Sequence, residues 1–129
     1  MSRKSKGINA ERELIHKFWD CGWAAIRVAG SGSSKYPSPD VIASNNKRII
    51  GLECKAINAN KKYFPKTEIF ELEKFCRIFG SESWIGIKFD RTEWFFLPVD
   101  ELEDVGKTLL ISKEFAFSKG RKFDELICS

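Results

Sequence analysis

The sequence predicts an α/β fold, and three observations carry that reading. Two stretches, 8–21 and 67–79, repeat apolar residues at helical spacing. Short apolar or alternating runs at 23–28, 40–43, 48–56, 83–89 and 93–99 have the length and β-branched or aromatic content of strands. The two patterns alternate along the chain instead of falling into separate blocks. A length of 129 residues suits a single domain, 1–129, and no internal repeat points to a second.

In chain order, residues 1–7, MSRKSKG, read as a basic flexible arm ahead of the first helix, which stops at Gly22. The stretch 30–39, GSGSSKYPSP, is a surface loop by its Gly, Ser and Pro content. The runs 40–43 and 48–56 flank SNNK and form a hairpin. A basic cluster, Lys61, Lys62 and Lys66, precedes the second helix. The strands at 83–89 and 93–99 turn between Asp90 and Thr92, VDELEDV forms a short helical turn, TLLIS a further strand, and FDELIC a short amphipathic piece.

Composition removes several classes of function. Cys21, Cys54, Cys76 and Cys128 are far apart, form no C-x-x-C pair and share the chain with one histidine, His16, so neither a zinc site nor a disulfide framework is expected. All four read as reduced thiols in apolar or helical surroundings. No apolar run nears the roughly 18 residues of a membrane span. The first twenty residues are charged throughout, unlike a signal peptide, so the expected location is cytoplasmic. Net charge is +4, unevenly spread: residues 1–66 hold 13 Lys or Arg against 5 Asp or Glu, and residues 67–129 hold 9 against 13. A basic half of this kind favours a polyanion as partner over a neutral small molecule.

The chemistry concentrates at Pro39-Asp40 on one arm of the hairpin and Glu53-Cys54-Lys55 on the other. Alternation along a strand sends Glu53 and Lys55 to one side, and Leu52, Cys54 and Ala56 to the opposite, apolar side. Asp40, Glu53 and Lys55 then converge. Carboxylates so placed repel unless a cation lies between them, and hard oxygen donors suit Mg²⁺ or Mn²⁺. On the first helix, Ile8, Leu14, Ile15, Phe18 and Trp19 fill a core-facing arc of about 140°, with Glu11 at its centre. A carboxylate there needs a partner: a metal shared with the other two acids, or an ion pair with Arg12 or Arg27. The second helix has a core stripe of Ile69, Leu72, Phe75, Cys76 and Phe79 with Glu68 on it at the first turn, near the site. Phe70 and Ile78 are left on the other side, which fits either a contact with a second subunit or a helix buried on more than one face.

These residues resemble a known family. G-x-x-x-E-R-E at Gly7–Glu13, C-G-W-A-A-I-R-V ending at Val28, G-S-G-S at Gly30–Ser33, P-S-P-D at Pro37–Asp40 and G-L-E-C-K at Gly51–Lys55 are together similar to the archaeal-type Holliday junction resolvases of the PD-(D/E)xK nuclease superfamily. The resemblance runs collinearly from residue 7 to about 89. It implies a restriction-endonuclease-like domain, a mixed central β-sheet flanked by helices, and a homodimer that nicks two opposing strands of a four-way DNA junction with Mg²⁺, Mn²⁺ being able to substitute. It further implies Asp40 and Glu53 as metal ligands, Glu11 as a further acid ligand, Lys55 as the catalytic lysine, and links Arg12, Arg27 and Ser31 to activity and phosphate contact. Arg3, Lys4, Lys6, Ser33, Lys35, Lys61, Lys62 and Lys66 would extend the DNA track, in a protein associated with the nucleoid. Where many family members carry Gln, this chain has Glu68. No residue pattern indicates a sliding clamp or helicase as partner. The competing readings are another PD-(D/E)xK repair or restriction endonuclease, and a DNA-binding module in which the acids are only structural.

Overall fold

The computed structural model describes residues 3–30 and 36–128, with side chains from residue 6 onward. Helix α1 (Arg3–Asp20) leads into strands β1 (Ala24–Arg27), β2 (Val41–Ser44) and β3 (Ile49–Ile57). Strand β4 (Lys61–Pro65) and helix α2 (Lys66–Phe79) follow, then β5 (Glu82–Phe89) and β6 (Trp94–Pro98). A 3-10 turn at Val99–Glu101, β7 (Glu103–Asp104), β8 (Thr108–Ser112), α3 (Lys113–Lys119) and α4 (Phe123–Cys128) complete the described chain.

The main sheet has the order β1-β2-β3-β5-β6. Its β3–β5 pair is parallel, with Glu53 opposite Ile85, and the other pairs are antiparallel, so the sheet is mixed as expected. Parallel neighbours need a crossover, which β4 and α2 supply. Both faces of the sheet are covered. Alternate residues of β5 and β6 feed two cores: Trp84, Trp94 and Phe96 pack with Ala10, Leu14 and Phe18 of α1 and with Phe123 and Leu126 of α4. Ile85, Ile87, Phe95 and Leu97 pack with Ile69, Leu72 and Cys76 of α2. A second, three-stranded sheet, β4-β8-β7, adds Phe64 and Ile111 to that second core.

Several expectations are corrected. Helix α1 begins at Arg3 and takes in most of the basic arm. The cluster at Lys61 and Lys62 is a strand, β4, paired antiparallel with β8, so that Tyr63 meets Leu110. The segment between β8 and α4 holds a helix, α3, opened by the Ser112 hydroxyl, which accepts the Phe115 N–H at 3.0 Å. Trp19 is 57% exposed because the chain leaves the helix at Asp20; its indole N–H donates to the Ala25 carbonyl over the sheet edge. Phe79 is 49% exposed, since α2 ends there and Gly80 turns the chain with φ 87°. All four cysteines are free, but only Cys54 and Cys76 are buried; Cys21 and Cys128 are exposed at helix ends.

Two local devices fix the geometry. Gly51 lets α2 approach β3: a Cβ there would lie 2.7 Å from the Cys76 sulfur. At the far end of the sheet, Arg48 donates twice to the Glu82 carboxylate at 2.8 Å and once to the Leu126 carbonyl at 2.7 Å, tying β3, β5 and α4 together.

Gly51→Ala is therefore expected to lower stability by about 1–3 kcal/mol through overpacking, and Gly51→Ala with Cys76→Ala to recover part of the loss, read from urea midpoints. The Arg48 hydrogen bonds hold the Glu82 carboxyl below its ordinary 4.5. A lowered carboxyl stabilises above its unfolded value and loses that contribution as pH falls through the folded value. Glu82→Gln should cost about 1 kcal/mol at neutral pH, with the gap to wild type narrowing below pH 4.5 in unfolding curves taken from neutral to acidic pH.

Candidate active site

Asp40 stands at the entry to β2. Its N–H donates to the Leu52 carbonyl and its own carbonyl accepts the Val28 N–H, both at 2.8 Å, so its backbone is held between the flanking strands. Its side chain then reaches across to β3, where Oδ2 accepts the Cys54 N–H at 2.8 Å. This bond brings Asp40 against the strand that carries Glu53 and Lys55.

Strand β3 turns from core to site within a few residues. Ile50, Gly51 and Leu52 are buried, and Glu53 and Lys55 then emerge on the side covered by α2, while Cys54 stays buried on the other. The same close approach at Gly51 and Cys76 sets the fourth acid. Eight helical residues back from Cys76 cover about 12 Å, and four strand residues forward from Gly51 about 13 Å. Glu68 thus arrives beside Lys55. The Lys55 Nζ lies 3.4 Å from Glu53 Oε2 and 3.3 Å from Glu68 Oε1.

Burial and the nearby Asp40 charge push the Glu53 carboxyl up to about 8. Burial, and then Asp40, also raises the Glu11 carboxyl against the opposing pull of Arg27. Burial works against the Lys55 ammonium, but Glu53 and Glu68 outweigh it, so its pKa is raised. Asp40 is thus the common neighbour of two carboxyls, Glu11 and Glu53, that resist ionisation beside it. Glu11 itself is paired: its Oε1 accepts from Arg27 Nε at 2.9 Å, the alternative partnership foreseen for it.

These are hard oxygen donors whose mutual repulsion Lys55 and Arg27 offset only in part, which fits a divalent cation such as Mg²⁺ at Asp40 and Glu53. Among the described residues no group of three acid, histidine or cysteine side chains could hold one ion. The Ser38 hydroxyl, two residues before Asp40, is buried with no hydrogen-bond partner among the described residues.

The predicted basic residues scatter more widely. Lys6, Lys61 and Lys62 line a cleft of about 520 Å³ that also borders Ala56, next to Lys55 in the chain. Lys6 pairs with Asp90 at 2.9 Å and Lys66 with Asp104 at 3.0 Å. Arg12 is exposed on α1. Ser31, Ser33 and Lys35 lie outside the described residues, as do the side chains of Arg3 and Lys4. Sequence reasoning missed the Asp40–Cys54 link; a carboxylate near a strand's end with an open N–H is its only signal. No helix among the described residues is long and apolar enough to cross a membrane.

Comparison with known proteins gives the family and the fold. The family model described as archaeal Holliday junction resolvase (hjc) matches residues 2–129. A crossover junction endodeoxyribonuclease Hjc from Archaeoglobus fulgidus is 38% identical, over 95% of this chain and 95% of its own. One from Sulfolobus acidocaldarius is 35% identical, over 98% and 90%. The solved structure of Archaeoglobus fulgidus Hjc, titled a Holliday junction resolvase from an archaeal hyperthermophile, superposes with a TM-score of 0.85 at 35% identity, covering 93% of this chain and 98% of that one. With the fold and the sequence matched by likeness over almost its whole length, the chain belongs to the archaeal Holliday junction resolvase family.

Proposed function

We propose that this protein is an endodeoxyribonuclease that resolves four-way DNA junctions by metal-dependent, symmetric nicking of two opposing strands. The convergence of Asp40, Glu53 and Lys55 around the middle of β3 carries the reading, and relatives named crossover junction endodeoxyribonuclease support it.

In this reading Asp40 and Glu53 hold Mg²⁺, or Mn²⁺ in its place, with Glu11 a further acid beside Asp40. The cation supplies Lewis-acid relief for charge building on the phosphate and favours ionisation of the attacking water. Lys55, an ammonium between two carboxylates, donates a hydrogen bond that orients the water or offsets charge on a phosphate oxygen. Arg27 holds Glu11 in place. Lys6, Lys61 and Lys62 along their cleft, with Arg12, Arg3, Lys4, Lys66 and the loop residues Ser31, Ser33 and Lys35, follow the DNA backbone and set position more than sequence. The protein works where the DNA is, inside the cell.

The second subunit sits on the outer face of α2. Phe70 is 62% exposed and Ile78 76%, and Phe75 stacks on the half-exposed Phe79 with ring centroids 5.2 Å apart. Large apolar side chains exposed on the outer side of a helix are costly in water and are relieved by a second copy. Two active sites at a fixed separation then select the junction by its shape.

The test is an immobile four-way junction beside a duplex of matched sequence, each with Mg²⁺ or EDTA, with nicks mapped on all strands. Paired nicks on opposing strands, in the junction and only with metal, are expected; duplex cleavage would shift the reading to another nuclease of the superfamily, and binding without cutting would favour the DNA-binding module. Asp40→Asn keeps an acceptor for the Cys54 N–H, so it is expected to fold, bind the junction and cut at least about a thousandfold more slowly. Wild-type rates from Asp40→Asn and Glu53→Gln would overturn the assignment. Phe70→Glu with Ile78→Glu is expected to halve the mass seen by light scattering and abolish paired nicking; an unchanged mass places the dimer contact elsewhere.

A further inference from the structure

The Lys55 ammonium has two carboxylates to choose from. Glu53, at 3.4 Å, is one the proposed function assigns to the cation; Glu68, at 3.3 Å, lies on another element and is the more exposed of the two, at 33% against 16%. An ammonium and a divalent cation compete for the same carboxylate oxygens, so a lysine two residues from a ligand on the same strand face opposes metal binding unless something else holds it. Glu68 is so placed. It stands in the first turn of α2, where the helix dipole favours a negative charge. Its position is set by the tight contact of Cys76 with Gly51 two turns further on.

We infer that Glu68 is a positioning residue which draws the Lys55 ammonium off Glu53 and so leaves the Glu53 carboxylate to the cation. This rests on the reading of Glu53 as a metal ligand. A carboxylate does this better than an amide of the same shape, because a charge-assisted bond to an ammonium is about twice as strong as a neutral one.

The test is Mn²⁺ binding to the DNA-free protein, followed by the loss of the free-ion paramagnetic resonance signal, in wild type, Glu68→Gln, Lys55→Ala and Lys55→Ala with Glu68→Gln. Melting curves check that each variant is folded. Glu68→Gln is expected to weaken binding about tenfold, because Lys55 then rests on Glu53 alone. Lys55→Ala should bind at least as tightly as wild type, and adding Glu68→Gln to it should change the affinity less than about twofold. An equal loss in both backgrounds would mean that Glu68 acts on the cation directly and would overturn the inference, as would no loss in either. Glu53→Gln separates the two readings. If it leaves Mn²⁺ binding intact, or wild type binds none, the ligand assignment fails and takes this inference with it; if it abolishes binding while the Glu68 and Lys55 effects are additive, only the inference fails.

Discussion

The structure depends on one strand meeting two incompatible demands. Strand β3 pairs with β2 on one side and, through eight residue pairs, with β5 on the other, so nothing in the main sheet holds without it. Its first half must be apolar on both faces, and Ile50, Gly51 and Leu52 are buried accordingly. Its second half carries Glu53 and Lys55, charges that a buried sheet face rejects unless they are paired. The strand reconciles these demands by running toward the sheet's end, where Asp40 closes one side and the first turn of α2 the other. The Cys54 N–H accepted by Asp40 is the joint between them. It satisfies a backbone group and at the same time fixes the Asp40 carboxylate close enough to Glu53 that Glu53 resists ionisation.

That arrangement works against the free protein. A Glu53 carboxyl pushed up to about 8 binds more protons folded than unfolded between its ordinary value of 4.5 and the raised one, so stability falls as pH rises through that window. Replacing these acids by neutral groups relieves the chain of that repulsion, as expected of a site shaped for a ligand and not for its own stability. The Arg48–Glu82 pair shows the opposite case, in which a lowered carboxyl and an arginine serve the fold alone.

What the sequence makes legible is what local periodicity encodes. The alternation through Leu52, Glu53, Cys54 and Lys55 assigns each residue to a face without knowledge of the fold, and the burial follows it. Glu11 was visible for the same reason, as a charge within an apolar arc, although periodicity could not choose between Arg12, Arg27 and a metal; only the fold brings β1 against α1 and selects Arg27. The losses are non-local. Lys61 to Pro65 reads as a basic cluster because two lysines and a proline mask the pattern, and the strand exists through pairing with β8, nearly fifty positions later. Trp19 and Phe79 fit their apolar stripes and are still exposed, since each lies in the last turn of its helix, beyond the reach of the sheet beneath.

Charge is the case where the linear reading overstates the surface. The basic first half and acidic second half read as two territories, but folding interleaves them. Asp90 reaches Lys6, Asp104 reaches Lys66, and Glu13 of α1 lies 3.8 Å from Lys88 of β5. If Lys6 and Lys66 follow a DNA backbone as proposed, Asp90 and Asp104 stand where phosphates would stand. A DNA backbone reaching these lysines exchanges one anion for another instead of neutralising a bare cation, and the exchange releases fewer counterions than the lysine count implies. Affinity for DNA then draws less on net charge and more on how many phosphates one body can engage together. For the proposed substrate that quantity would be set by shape, since a four-way junction offers one body phosphates on several arms where a duplex offers a single axis.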